Sequence, residues 1–289
     1  MYIKKCMVIL IVMGLFFNVT AQESITLKGT IFDTKTHRPV EYVNVGIFEK
    51  NIGTVSNDSG NFILNIPLSK IKDSVTFSRI GYYIKKVKIS ELLKDDSGNV
   101  FLKPQTIQLD EVKVLSDKLK VKTKGNKSTS RKIVLGIGSS SLGKETGTLI
   151  RLPDKEVFIK DFNFHIISNR PDSAKFRLNI YSYDHGIKET ILKKNIYFTI
   201  HKNDIGNFKI NLSKYNIVVH GDVFVSVEVV ALYSKGPDPN LKNDKYFYDR
   251  INVSGTVTGL KSFYRKVSLG KWEKIGYNFS PGFWLTVAY

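Results

Sequence analysis

Along most of the chain, apolar and polar residues alternate with period two or gather into short β-branched and aromatic runs. Helical spacing is nearly missing. The alternation predicts strands over 25–32, 43–48, 61–66, 75–77 and 83–89. Further on it predicts strands over 157–167, 175–183, 208–212, 222–232, 255–267 and 283–288. Only 69–73 and 90–94 read as short helices, the second with Ser90 as a cap before Glu91-Leu92-Leu93. Turn residues punctuate the runs at Asn57-Asp58-Ser59-Gly60, Asp96-Ser97-Gly98-Asn99, His185-Gly186, His220-Gly221 and Pro237-Asp238-Pro239-Asn240. Many short strands at this spacing imply sandwiches. Val223, Val225, Val227 and Val229 would share one face, as would Phe62, Leu64 and Ile66, and this fixes register. Gly60 suits a tight turn with positive φ, and Gly81 a bend or close backbone approach.

The first 21 residues follow another pattern. Lys4 and Lys5 precede an apolar run from Cys6 to Phe17, and Val19 and Ala21 satisfy the small-residue rule of a signal-peptidase site. The run is shorter than the roughly 20 residues that a bilayer-spanning helix needs. Residues 1–21 are therefore expected to be a cleaved signal peptide. The product would reside in the periplasm, on the outer-membrane surface or in the medium. Cys6 is the chain's one cysteine and would leave with the signal. The mature protein then has no disulfide, thiolate nucleophile or cysteine-bound metal, and its cores must hold unaided.

The formal charge is +18. It is densest over 117–132, DKLKVKTKGNKSTSRK, which has seven basic residues and one acidic. This stretch is poor in apolar side chains and reads as a flexible basic linker. It separates a first sandwich, 22–116, from a second, 133–289. A nucleic-acid partner is not expected, because the chain is exported and no helix carries the lysines into a groove. Peripheral contact of the linker with anionic head groups or acidic polysaccharide fits better, with simple solvation as the plain alternative.

In the first sandwich, Gly29, Asp33, Pro39, Asn44, Gly53, Thr54, Asp58, Gly60, Phe62 and Gly81-Tyr82 resemble the carboxypeptidase-regulatory-like domain, a transthyretin-like sandwich of seven strands. Leu109-Asp110-Glu111-Val112-Lys113-Val114 is similar to the segment that follows this module in TonB-dependent outer-membrane receptors of Bacteroidota envelopes. The resemblance implies a non-catalytic module. The plug and barrel of a receptor are not part of the pattern. Nor is the His-x-x-Glu zinc pair of a metallocarboxypeptidase, since His37 precedes Glu41 and His185 precedes Glu189 at the wrong spacing.

The second half has a jelly-roll-like rhythm at 206–212 and 221–225. It is rich in aromatics, whose rings either pack in the core or stack on sugar faces. Tyr246 and Tyr248, in a polar loop, and Trp272, between Lys271 and Glu273, are the candidate ligand-binding rings. Gly138–Lys144 nearly spells a phosphate loop, but Glu145 stands where the magnesium-binding hydroxyl belongs and no helix follows. The five histidines form no pattern of a triad. The acidic turns lack the terminal glutamate of a calcium loop. No cofactor and no metal are expected.

The expected fold is thus all-β, two sandwiches joined by a basic linker. The expected function is an exported, non-catalytic envelope protein with a docking sandwich and a glycan- or protein-binding sandwich. Two alternatives remain. One is a small outer-membrane barrel carrying the regulatory-like domain. The other is an accessory or cryptic hydrolase, which a pocket with two nearby acids would reveal.

Overall fold

The computed structural model describes residues 23–95, 97–106, 119–137, 142–236, 249–257 and 259–289. The expected signal peptide, the 109–114 segment, most of the phosphate-loop look-alike, and Tyr246 and Tyr248 lie outside the described residues. None of the described helices is long and apolar enough to cross a membrane.

The first half is a seven-stranded sandwich. Its strands are β1 (Ser24–Asp33), β2 (Asn44–Ile47), β3 (Ile52–Val55), β4 (Asn61–Pro67), β5 (Ser74–Ser78), β6 (Lys85–Lys88) and β7 (Asn99–Leu102). One sheet has the order β4-β1-β7, with β1 and β7 parallel; the other has the order β3-β2-β5-β6. Phe62, Leu64 and Ile66 alternate inward from β4 and meet Val45, Val75 and Phe77 of the facing sheet. Phe62 and Phe77 pack edge to face at 5.6 Å. A short helix α1 (Ile89–Leu92) adds Ile89 and Leu92 to this core. The other expected helix is a single 3-10 turn, Leu68–Lys70.

Several residues of the family pattern meet in space. Asp33 ends β1. One of its carboxylate oxygens accepts the amides of Lys35 (2.7 Å) and Thr36 (2.9 Å), and the other accepts the Tyr82 hydroxyl at 3.0 Å. Gly60 has φ +74°, and a Cβ there would lie 2.7 Å from the Ile31 carbonyl. Asn57 closes the same turn by accepting the amides of Ser59 and Asn61.

The second half is a larger sandwich. Its seven-stranded sheet contains β10 (Glu145–Ile150), β12 (Ser173–Tyr183), β13 (Ile187–Thr190), β14 (Ile196–His201), β17 (Val223–Tyr233), β19 (Ser262–Arg265) and β20 (Glu273–Lys274). Its main order is β13-β12-β17-β10-β19-β20, and β14 also pairs with β12. The eight-stranded sheet contains β8 (Val121–Gly125), β9 (Val134–Gly136), β11 (Val157–Asn169), β15 (Gly206–Asn211), β16 (Val218–Val219), β18 (Ile251–Val257), β21 (Phe279–Pro281) and β22 (Phe283–Ala288). The order there is β21-β18-β11-β22-β8. β15 and β16 pair with β11, and β9 pairs with β18.

Val223, Val225, Val227 and Val229 all face the core between these sheets, against Phe162, Phe164, Phe176 and Phe283. A membrane barrel turns its apolar rows outward to lipid. Here they turn inward, so the arrangement departs from the barrel alternative.

Two expectations need correction. The basic segment 117–132 is not simply a linker. Val121–Gly125 forms β8, which pairs along β22 from Val121↔Ala288 to Gly125↔Trp284. A partner strand distant in sequence supplies the ordering that local composition does not reveal. Its lysines suit an edge strand, where charge discourages further pairing. The second sandwich therefore begins near 121 rather than at 133. The single strand expected over 255–267 is two strands, β18 and β19, which lie in different sheets. Gly259, with φ +70°, stands between them.

The backbone amide bonds from Thr36 and Lys35, and the Tyr82 hydroxyl, hold the Asp33 carboxyl below its ordinary pKa of 3.8; desolvation opposes them. A carboxylate with a lowered folded pKa contributes stability above its unfolded pKa, and this is lost as pH falls through the folded value. Asp33→Asn should lower the melting temperature at pH 7 and flatten the acid limb of stability below about pH 3.8. Thermal melts from pH 7 to pH 2 check this; equal acid limbs would contradict it.

Candidate functional site

The outer face of the seven-stranded sheet should be polar where it meets water. Instead it carries a buried row of charges. Register places Arg177 of β12 opposite Glu228 of β17, Glu228 opposite Glu145 of β10, and Glu145 opposite Arg265 of β19. The row reads plus, minus, minus, plus across four adjacent strands. Glu145 and Glu228 are fully buried, and Arg177 and Arg265 nearly so.

Like charges directly opposite on neighbouring strands repel, so the pair of glutamates needs compensation. The Arg177 Nε and Nη2 both donate to Glu228 Oε2, at 3.0 and 2.6 Å. The Arg265 guanidinium pairs with Glu145 Oε2. Asn179 Nδ2 bridges the acids, donating to Glu145 Oε1 at 2.9 Å and to Glu228 Oε2 at 3.3 Å. Glu145 Oε1 also accepts the hydroxyls of Tyr181 (3.0 Å) and Ser226. Burial works against charge on both arginines, but the carboxylates beside them outweigh it and hold both guanidinium pKa values above the ordinary one. Burial, and then Glu145, push the Tyr181 phenol well above its usual range.

Next to the row, Asn179, Ser226, Gly147 and Phe263 line up across the same strands. A Cβ on Gly147 would come within 2.5 Å of the Val225 carbonyl and 2.7 Å of the Phe224 ring. Glycine at this position lets Phe224 lie over β10.

Trp272 sits here too. It is half-buried, edge to face with Phe224 at 5.2 Å and Tyr181 at 6.1 Å. The Arg265 guanidinium lies 4.9 Å from its ring centre. The tryptophan thus packs beside one end of the charge row.

The first sandwich covers the other end. Arg177 donates from Nη1 to the Tyr42 carbonyl at 2.9 Å and from Nη2 to the Asn44 side chain. Lys175 Nζ reaches the Tyr42 hydroxyl at 3.1 Å, and the Tyr42 and Tyr197 rings meet at 5.3 Å. Tyr42, Val55, Val230 and Ala231 form a small apolar cluster between the halves. The loop after β19 completes the contact. The Glu49 amide donates to the Leu269 carbonyl at 2.8 Å, and the Lys271 amide donates to Asn51 Oδ1 at 3.1 Å.

Three other features bear on chemistry. His165 Nδ1 lies 2.7 Å from the Ser254 hydroxyl, a pairing that spacing alone did not reveal. Ser254 is fully buried, so a substrate has no path to its oxygen. Glu145 begins a strand rather than a helix, as expected for a segment that is not a phosphate loop. Among the described residues, no group of three or more His, Cys, Asp or Glu is placed to hold a metal ion. A cavity of about 180 Å³ opens between the β13–β14 connection and the turn before β16.

The first sandwich also matches a known domain. Residues 27–114 match the CarboxypepD_reg-like domain, in agreement with the resemblance carried by Gly29, Asp33, Gly60 and Tyr82. The TonB-dependent receptor SusC of Bacteroides thetaiotaomicron is 33% identical over 108 residues, which cover 37% of this chain and 10% of the receptor. The chain thus spans about a tenth of that relative's length. These matches are to a regulatory-like domain and a receptor rather than to catalytic families. Among solved structures, the cysteine protease and lectin-like domains of Cwp84 from Clostridium difficile align with a TM-score of 0.38 and 8% identity, covering 85% of this chain and 58% of that one. An infectious bursal disease virus structure, Gt strain, aligns at 0.28 and 11%, covering 92% and 62%.

Removing one member of a buried ion pair costs about 3–5 kcal/mol, because the other charge is stranded. Arg177→Met should lose stability of that order, and Arg177→Met with Glu228→Leu should recover most of it. Urea unfolding of the two variants and wild type checks this. A single-variant cost below about 1 kcal/mol, as for an exposed pair, would contradict the burial described.

Proposed function

We propose that this is an exported, non-catalytic protein of a bacterial envelope. Its first sandwich is a structural and docking domain. Its second binds a glycan or another envelope protein. The similarity of the first sandwich to part of a TonB-dependent receptor supports the envelope setting.

The observation that carries the non-catalytic reading is the closed charge row. Acid–base catalysis on a glycosidic bond needs two carboxyls that flank a substrate. Here the one acid pair that the sheet brings together is neutralised by Arg177 and Arg265, bridged by Asn179, and lies under the first sandwich at its Arg177 end. These carboxylates serve docking. Binding would use Tyr246, Tyr248 and Trp272, with the exposed Tyr277 ring, which lies 5.8 Å from Phe279. Lys120, Lys122 and Lys124, along and beside the β8 edge, would supply any peripheral contact with anionic head groups.

The expected outcome is saturable binding of the whole chain to envelope polysaccharide or to an envelope protein, with no release of reducing ends. Time-dependent release that Glu145→Gln or Glu228→Gln abolishes would contradict the proposal and favour the hydrolase reading.

A further inference from the structure

The cavity at the open edge of the second sandwich is where its two sheets part. One wall is the β13–β14 connection of the seven-stranded sheet. The other is the turn Ser213–Tyr215 and the start of β16, from the eight-stranded sheet. Leu192, Ile196 and Ile217 are the buried apolar residues of its lining, and Ile191 and Tyr215 are half-buried there. The exposed Lys194 and Lys214 stand at the mouth, Lys193 is half-buried in the lining, and none of the lining residues is acidic. Lys214 Nζ lies 5.2 Å from the Tyr215 ring centre, which keeps that ammonium at the mouth. Asn216, in the left-handed region at φ +49°, turns the chain at the rim and adds an amide side chain.

From this arrangement we infer that the cavity binds one carboxylated sugar unit of an acidic polysaccharide. The inference rests on the glycan-binding reading above and adds to its aromatic rings a second contact, of stated chemistry, at a separate place on the same sandwich. Size is the first argument. At about 180 Å³ the cavity is smaller than the roughly 300–1,000 Å³ of clefts for drug-sized ligands, so it holds a single ring with the chain continuing outside. Chemistry is the second. An aliphatic floor and a tyrosine suit the C–H face of a pyranose, and the Asn216 amide suits its hydroxyls. Charge is the third. The exposed ammonium groups of Lys194 and Lys214 favour an anion, while arginine, the side chain whose rigid fork matches phosphate bidentately, is not in the lining.

The test is isothermal titration of the whole chain with a galacturonate trisaccharide, its neutral galactose counterpart and inorganic phosphate. The acidic trisaccharide should bind and weaken with salt. The neutral one, and the Lys194→Ser, Lys214→Ser double variant with the acidic one, should each bind about tenfold or more weakly. Both lysines are exposed, so the variant should fold as wild type does, which its melting temperature checks. Equal affinity for acidic and neutral sugars would overturn the inference, as would wild-type affinity in the double variant. Phosphate competing as well as the sugar would reduce the site to an anion site and overturn it too. In each case binding to another glycan or to an envelope protein would leave the broader reading standing. A whole chain that binds no polysaccharide and no envelope protein would overturn that reading itself.

Discussion

The Arg177–Glu228–Glu145–Arg265 row is the constraint on which the arrangement of the two sandwiches depends. Two carboxylates on neighbouring strands, both out of water, are costly unless every charge has a partner. The sheet meets that requirement within four strands, and the first sandwich adds to it by accepting from Arg177 through the Tyr42 carbonyl and the Asn44 side chain. The same residues therefore settle two things: how the outer face of the sheet tolerates burial, and which surface of the first sandwich rests on it. A pair of charges buried this way adds less to stability than apolar packing does, but it penalises misplacement heavily.

Beneath the row, stability comes from ordinary packing. The same β17 strand sends Val223, Val225, Val227 and Val229 into the main core and Ser226 and Glu228 to the outer face that carries the row. Period two makes these two roles inseparable. Slipping the register by one residue would place glutamate in the hydrocarbon core and valine under the first sandwich. The row and the core thus enforce one another.

Much of the architecture was legible from local pattern. The valine alternation of β17, the Phe62-Leu64-Ile66 face of β4 and the Asn57–Gly60 turn stand where periodicity and turn chemistry put them. So does Asp33, whose bond to Tyr82 accounts for two residues of the family pattern at once. What was not legible depends on partners distant in sequence. β8 reads as a lysine-rich linker until β22 lies beside it. The break between β18 and β19 is set by the two sheets they join. The charge row contributes one residue from each of four strands spread from 145 to 265, so no spacing rule finds it. Its one local sign is Glu228, a lone charge inside VFVSVEVVAL. Trp272, singled out as a ring between charged neighbours, lies against Arg265, a contact that only the fold reveals.

The central claim is that the two sandwiches are one body closed over this row. Hydrogen exchange read by mass spectrometry on the native chain tests it most directly. If the claim holds, peptides covering 43–55 in the first sandwich and 175–181 and 224–230 in the second are protected to a similar degree, limited by the same opening. Exchange of 43–55 that is orders of magnitude faster, with the second core still protected, would show the interface opening freely and contradict the account.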